Sequence, residues 1–417
     1  MSHSQQGKAA MTNRLAYVAL LGAVGLALAA CSGGANGTGQ VAAESTPAPS
    51  GAGPITIGQV ASLTGPNYMG LENRDGAELA VQQINDAGGI LGGRQVELKV
   101  EDDKSLPQGA VDAYGKLADQ GVAAVVGTSY SNASLAVIPF TDQRKIVYVS
   151  TGAAHAQVDP VRPFTYMTPP TGQLVAEQLL KYFRDQNLTK IAVAFDSDSA
   201  FNRDAWAKQE TLLDRYGIEA VAVESFKVDN ADFSPTINAI AASGAQAIMA
   251  WVTGPPANGL GKAYADSGLT IPMVAGLGAA SPAFVDAVGA GAEGIVVATS
   301  LVGVGSDLPE SQTREAISEL TEPFQEQHGH LPSQFAVDGY TAVKLIAAAI
   351  EEAGTDDPIA IQKTMDSLTS LTPEGEYNFS PTNHSGLGAE DVAVAVIRDG
   401  KFRLTPWSHQ QLSQSLK

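Results

Sequence analysis

"ITIGQVASLTGPNYMGLENRDGAELAVQQINDAGGILGGRQVELKVEDD" spans residues 55–103, and its patterning decides the fold. "ITIGQVAS" (55–62) is a β-branched apolar run that ends in the Thr64-Gly65-Pro66 turn. Ala77, Ala80, Val81 and Ile84 then recur at i, i+3, i+4 and i+7, one face of a helix that Gly88-Gly89 closes. "VELKVEDD" (96–103) reads as a second strand. A strand, a helix and a second strand form the unit of a parallel sheet, because parallel neighbours need a long crossover between them.

The rhythm continues along the chain. A helix is expected over 107–120, a strand over 122–127, a helix over 132–143 and a strand over 146–151. Ala176, Leu179, Leu180 and Phe183 mark the next helix, followed by strands at 190–196, 219–226, 246–252, 272–276 and 294–300. Helices at 204–216, 234–243, 257–267 and 282–288 separate them. The remainder is mostly helical (309–328, 335–353, 357–368), with short strands near Tyr377, over 392–398 and near Phe402. These units exceed one ordinary sheet. The expectation is an α/β fold of two Rossmann-like lobes, each a parallel sheet with helices on both faces.

The first residues speak to compartment. Lys8 and Arg14 precede "LAYVALLGAVGLALAA" (15–30), an uncharged apolar run that reads as a secretory signal and is set aside from the fold. "MTNRLAYVALL", from Met11, would by itself make an ordinary signal. The run is too short and too rich in Gly and Ala for a membrane span of about 20 apolar residues. Residues 32–53, "SGGANGTGQVAAESTPAPSGAG", have the composition of a flexible tether.

The chain has 44 acidic and 25 basic residues, net −19. Lys8 and Arg14 are the only charges before residue 31, which leaves 44 acids against 23 bases, net −21, in the rest. Such a balance argues against nucleic acid, whose phosphates need basic clusters. It also argues against electrostatic docking on anionic lipid.

Catalytic and metal motifs are weak. "GTSYS" (127–131) lacks the second glycine of a nucleophile elbow, and no histidine is obviously paired with a carboxylate. "HGH" (328–330) is the only hint of a metal ligand cluster, and no catalytic residue, metal or cofactor is expected. "EDDK" (101–104) and "FDSDS" (195–199) lack calcium-loop spacing, and "GLGK" (259–262) is no phosphate loop. "VVGTSYSNAS" (125–134) is more informative. It lies at the carboxyl end of a strand, where ligands collect in open α/β sheets. Ser131 or Asn132 could simply cap the following helix. Alternatively, free N–H groups at that helix start, flanked by hydroxyls, make a receptor for a carboxylate. "STGAA" (150–154) ends the neighbouring strand, so the two loops could converge.

Several segments also resemble a known family. The Thr64-Gly65-Pro66 turn, the "GAELAVQQIN" helix, the Gly88-Gly89-Ile90 turn, the Asp103-to-Pro107 stretch, "VVG…S" and "AEGIVVATS" stand in order. Together they are similar to the leucine/isoleucine/valine type of periplasmic binding protein, the type I solute receptors of ABC importers. The resemblance covers about residues 54–405. Leu28-Ala29-Ala30-Cys31 resembles a bacterial lipobox, which would make 1–30 a lipoprotein signal and 31–53 a tether. Cys31 is the only cysteine; acylated, it would anchor the protein on the outer side of the cell membrane and leave the fold no internal disulfide.

The family implies two lobes joined by three crossings, near Pro170, Ala298 and Glu376. Lobe 1 would be 54–170 plus 299–375, and lobe 2 would be 171–298 plus 376–417. Ligand contacts carried over by motif fall on Ser129, Ser131, Asn132, Gly152, Ala153 and Ala154 in the first lobe. In the second they fall on Asp198, Phe201, Thr253, Leu277 and Gly278, with Tyr68 at the cleft mouth. Partners would be a small-molecule solute and ABC permease subunits, with the protein itself a monomer. Two rival readings are a ligand sensor of the same fold and, less favoured, an envelope hydrolase.

Two departures from the family pattern bear on the solute. Amino-acid-binding members commonly carry a hydroxyl where Ala154 stands and an acid in the loop matching "GLGAAS" (276–281). Neither is present, and a buried ammonium without a partner costs on the order of several kcal/mol. Asp196 or Asp198 could substitute, or could merely cap the helix after them. The expectation is therefore a carboxylate, amide or other small polar solute, amino-acid-like or related. Trp251, with Phe201, suggests an aromatic wall or plain core.

Overall fold

The computed structural model describes residues 53–66 and 69–415. The expected signal peptide, Cys31, the tether up to residue 52 and Tyr68 lie outside the described residues. The first half runs β1 (Ile55–Ala61), α1 (Gly70–Asp86), β2 (Val96–Asp102), α2 (Pro107–Asp119), β3 (Ala124–Val126), α3 (Ser131–Arg144), β4 (Val147–Ser150) and β5 (Thr165–Met167). Its sheet has the order β2-β1-β3-β4-β5, with every pairing parallel. β3 and β4 are buried at every residue, as expected where helices cover both faces of a sheet.

The second half runs α4 (Gly172–Asp185), β6 (Lys190–Asp196), α5 (Ala200–Tyr216), β7 (Glu219–Phe226), α6 (Ser234–Ala242), β8 (Ala247–Trp251), α7 (Pro255–Ser267), β9 (Met273–Ala275), α8 (Pro282–Val288) and β10 (Val296–Ser300). The chain then returns through α9 (Gln312–His328), α10 (Gln334–Ala353), α11 (Pro358–Met365) and the hairpin β11 (Thr369–Thr372) and β12 (Gly375–Asn378). It ends with β13 (Val392–Arg398), β14 (Lys401–Leu404) and α12 (Pro406–Ser415). The second sheet has the order β14-β13-β10-β9-β8-β6-β7.

Three expectations are corrected. The second sheet is not wholly parallel: β13 and β14 run antiparallel, because the Asp399-Gly400 turn, with positive φ at both residues, folds them into a tight hairpin. α5 starts at Ala200 rather than Asp204, since Ser199 accepts from Asn202 N and caps it there. β5, β11 and α12 carried too little periodicity to be anticipated. The β11–β12 hairpin stays with the first half, where Tyr166 and Phe379 meet edge to face at 5.3 Å, and the chain joins the second sheet only at β13.

The core of the second half gathers Leu179, Phe183, Val193, Met249, Trp251 and Val297. In the first half Ala77, Ala80 and Ile84 of α1 bury against Tyr340, Val343 and Ile346 of α10. This packing fixes α10 beside the carboxyl ends of the first sheet.

Candidate functional site

β3 and β4 are neighbours, so the loops that leave their carboxyl ends start side by side. Ser129 Oγ and Thr151 Oγ1 lie 3.3 Å apart, and Ser131 Oγ accepts from Ala154 N at 3.3 Å. Gly152 permits the approach: a Cβ there would sit 2.9 Å from Ser131 Oγ and 3.2 Å from its Cα. The capping role considered for Ser131 and Asn132 is not taken up. Tyr130 occupies the position before α3 with an extended backbone and no side chain caps it. Among the described residues the N–H groups of Ser131 and Asn132 have no acceptor. They are the open, electropositive end of a helix.

The facing wall comes from the carboxyl ends of β6, β8 and β9. Asp196 is buried and accepts from Asp198 N at 2.8 Å; burial pushes its carboxyl up. Asp198 bonds Lys227 Nζ at 2.7 Å and Val228 N at 3.2 Å, and Lys227 holds its carboxyl low. Neither aspartate caps α5, because Ser199 does. Phe201 meets Trp251 edge to face at 6.1 Å. Trp251 itself is core, fully buried with Nε1 donating to Gln209 at 2.8 Å. Gly278 has no room for a side chain: a Cβ would land on Val252 O and Thr253 Oγ1.

Three contacts join the halves around this space. Asn132 Nδ2 donates to Asp198 O at 2.9 Å and its Oδ1 accepts from Ala200 N at 2.7 Å. His155 N donates to Asp204 Oδ2 at 2.6 Å, and Gly172 N to Ala153 O at 3.1 Å. These bonds bring the halves together beside the cavity.

Of the expected residues, Ser129, Ser131, Ala153, Asp198, Phe201, Thr253, Leu277 and Gly278 line one cavity of about 70 Å³. Asn132, Gly152 and Ala154 stand behind that wall; Ala154 is fully buried. By the measure in which one water needs about 10–15 Å³, the cavity admits about five to seven water-sized groups, a compact solute rather than a peptide. Reasoning from sequence missed Met69, Pro169 and the contribution of α10, namely Gln334, Phe335 and Asp338. A signal existed: Asp338 is the only acid in the largely apolar run 334–350. A second, apolar space of about 240 Å³ adjoins the first and shares Met69, Gly278 and Phe335 with it.

The described residues contain no grouping of three or more potential metal ligands, and no helix among them is long and apolar enough to cross a membrane. A cleft between two α/β halves, lined at strand ends by hydroxyls, open N–H groups and carboxylates, defines a solute-binding protein. The chain belongs to the periplasmic binding protein family, whose model matches residues 54–401. It is 26% identical over 317 residues to Leu/Ile/Val-binding protein homolog 1 of Brucella abortus, covering 75% of this chain and 82% of that one. An extracellular ligand-binding receptor from Rhodopseudomonas palustris HaA2 shares the fold, with TM-score 0.77 and 24% identity over 84% of this chain and 99% of that one. So does the branched-chain amino acid transporter substrate-binding protein LivJ from Streptococcus pneumoniae, solved with isoleucine, with TM-score 0.74 and 22% identity over 84% and 99%. Members of this family are binding proteins and not enzymes.

Proposed function

We propose that the protein captures a small carboxylate-bearing, amino-acid-like solute outside the cytoplasm and delivers it to the permease subunits of an ABC importer. The observation that carries this reading is the wall at Ser131. Ser131, which opens α3 and whose N–H has no acceptor among the described residues, and Ser129 line one cavity. Charge-assisted bonds to such groups are the strong ones, and a carboxylate can accept from several together. Ala153, Phe201, Thr253, Leu277 and Gly278 supply the facing and side walls, with Asn132, Gly152 and Ala154 positioning them. The acid that the 276–281 loop lacks has counterparts in Asp196, Asp198 and Asp338, which brings amino acids back within the candidate class.

The halves act as lobes in this reading, divided near Pro170, near Ala298 and between Leu387 and Val392. Closure is driven by the solute binding better to the closed arrangement than to an open one. We further propose that Cys31, the sole cysteine, is lipidated and holds a monomer on the bacterial membrane through the residue 31–53 tether.

Thermal unfolding of the full chain against a panel tests the central reading. The panel holds the standard amino acids, aliphatic and aromatic carboxylates, amides and ureas. A ligand at about 100 times its Kd adds about 2.7 kcal/mol and raises Tm measurably. A Tm unmoved by every carboxylate, while an uncharged amide or urea raises it, would overturn the assignment of the Ser131 wall.

A further inference from the structure

α10 is buried along most of its length, and one of its acids is buried with it: Asp338, 2% exposed. Beside it lies Glu374, fully buried, from the turn between β11 and β12. Gln334 ties the two together. Its Nε2 donates to Asp338 Oδ1 at 2.8 Å and to Glu374 Oε1 at 2.6 Å. Glu374 Oε2 lies 2.8 Å from the Tyr377 hydroxyl, and that hydroxyl also meets the carbonyl of Thr168.

The hydrogens can be counted. A carbonyl only accepts, and a phenol has one hydrogen to give. With that hydrogen directed at Thr168 O, the Glu374–Tyr377 contact is a hydrogen bond when Glu374 carries a proton and donates it. The electrostatics agree, since two carboxylates sharing a buried site cannot both ionise. Burial first, and then Glu374, drives Asp338 upward, and burial pushes Glu374 up to about 7. Geometry and burial both favour one proton on the pair.

Among the described residues no cation acts on either carboxyl. The titratable groups around the pair are Tyr377 and Asp391, with Glu376 and Glu390 beyond, all of them acidic. On α1, which packs against α10, Arg74 is engaged by Asp75 and Glu78, and Glu72 accepts from Ser333 N. Across the space stand Asp196 and Asp198, the latter paired with Lys227. The open side of the pair is the cavity, which Asp338 and Gln334 line.

We propose that Asp338 and Glu374, bridged by Gln334, form a proton-sharing acidic subsite that receives a cationic nitrogen of the solute, whose arrival expels the shared proton. This rests on the reading of the cavity as the solute site. The carboxyl O–H bond breaks, its proton goes to the buffer, and an N–H of an already protonated amine donates to the carboxylate. The charge of the site is unchanged by the exchange. Affinity for an amine-bearing solute therefore rises with pH until the free pair is ionised, then levels off. Both ends of an amino acid are accounted for, the carboxylate at Ser131 and the ammonium at α10.

The test is calorimetric titration of the full chain at about pH 6 in two buffers of different ionisation enthalpy. The probes are the standard amino acids and their deaminated counterparts, such as L-isoleucine and 3-methylpentanoate. The expected result is binding of an amino acid with release of up to one proton, and binding of its deaminated counterpart about 100-fold weaker. Asp338→Asn should weaken the amino acid by a similar factor, and Glu374→Gln should abolish proton release while an amino acid still binds. Equal binding of acid and amino acid, with heats independent of buffer, overturns the subsite and leaves the solute-capture reading standing. Silence from every probe overturns both.

Discussion

Asn132, in the first half, holds a segment of the second through both ends of its amide: Nδ2 donates to Asp198 O at 2.9 Å and Oδ1 accepts from Ala200 N at 2.7 Å. The residue was expected to touch ligand or cap α3; it does not cap, and its amide bonds the second half. If closure brings the halves together as proposed, removing these bonds weakens it. Asn132→Ala should weaken the tightest panel ligand by about 30-fold, the effect of two hydrogen bonds of about 1 kcal/mol each. Titration calorimetry reads the affinity, and an unchanged Kd would rule out the clasp.

Ser131 acts differently, since its hydroxyl belongs to the cavity wall. Ser131→Ala removes a donor to a carboxylate and leaves Ala154 N without its acceptor. Kd should rise about 10- to 100-fold, with Tm of the ligand-free protein within a few degrees of wild type. A large Tm loss without change in Kd would place Ser131 in the structure rather than in the site.

Gly278 tests packing alone. The methyl of Gly278→Ala meets Val252 O, a backbone atom that cannot swing away, and Thr253 Oγ1. Overpacking of this kind costs about 1–3 kcal/mol, so Tm should fall before any ligand is added. Thermal unfolding without ligand checks it.

Buried acids set the response to pH. Burial pushes Asp391 and Glu374 each up to about 7, from ordinary values near 4. The folded state then binds more protons than the unfolded one, and stability falls as pH rises from about 4 to about 7. Carboxylates held low, such as Asp102, Asp185 and Asp198, have the opposite slope but act below that window. Ligand-free Tm should therefore drop by several degrees between about pH 5 and pH 7.5, and Asp391→Asn should flatten the curve. A Tm that climbs across this range in wild type contradicts the assignment.

Cys31 carries the anchoring proposal. Wild-type protein from a bacterial host should partition with membranes and show the mass of added acyl chains, while Cys31→Ala should be released from the membrane. Wild type without that mass gain would remove the anchor.

The order of the elements was legible because each signal is local. The apolar period of Ala77, Ala80 and Ile84, the run at β8 and the turn glycines each act within one segment. So was part of the cavity wall, because strand ends in open α/β sheets gather the segments that follow them, and Ser129, Ser131, Phe201, Thr253 and Gly278 lie at such ends. Other features depended on contacts between segments far apart in the chain. The β11–β12 hairpin joined the first half because Phe379 packs on Tyr166, a contact no local pattern encodes. Asn132 turned from cap to clasp because Asp198 and Ala200 came within its reach. Asp338 reads in sequence as a stray charge in an apolar helix. Only the fold sets it against Glu374, from a separate hairpin, with Asp338 lining the cavity, because desolvation and charge repulsion depend on which groups the packing brings together.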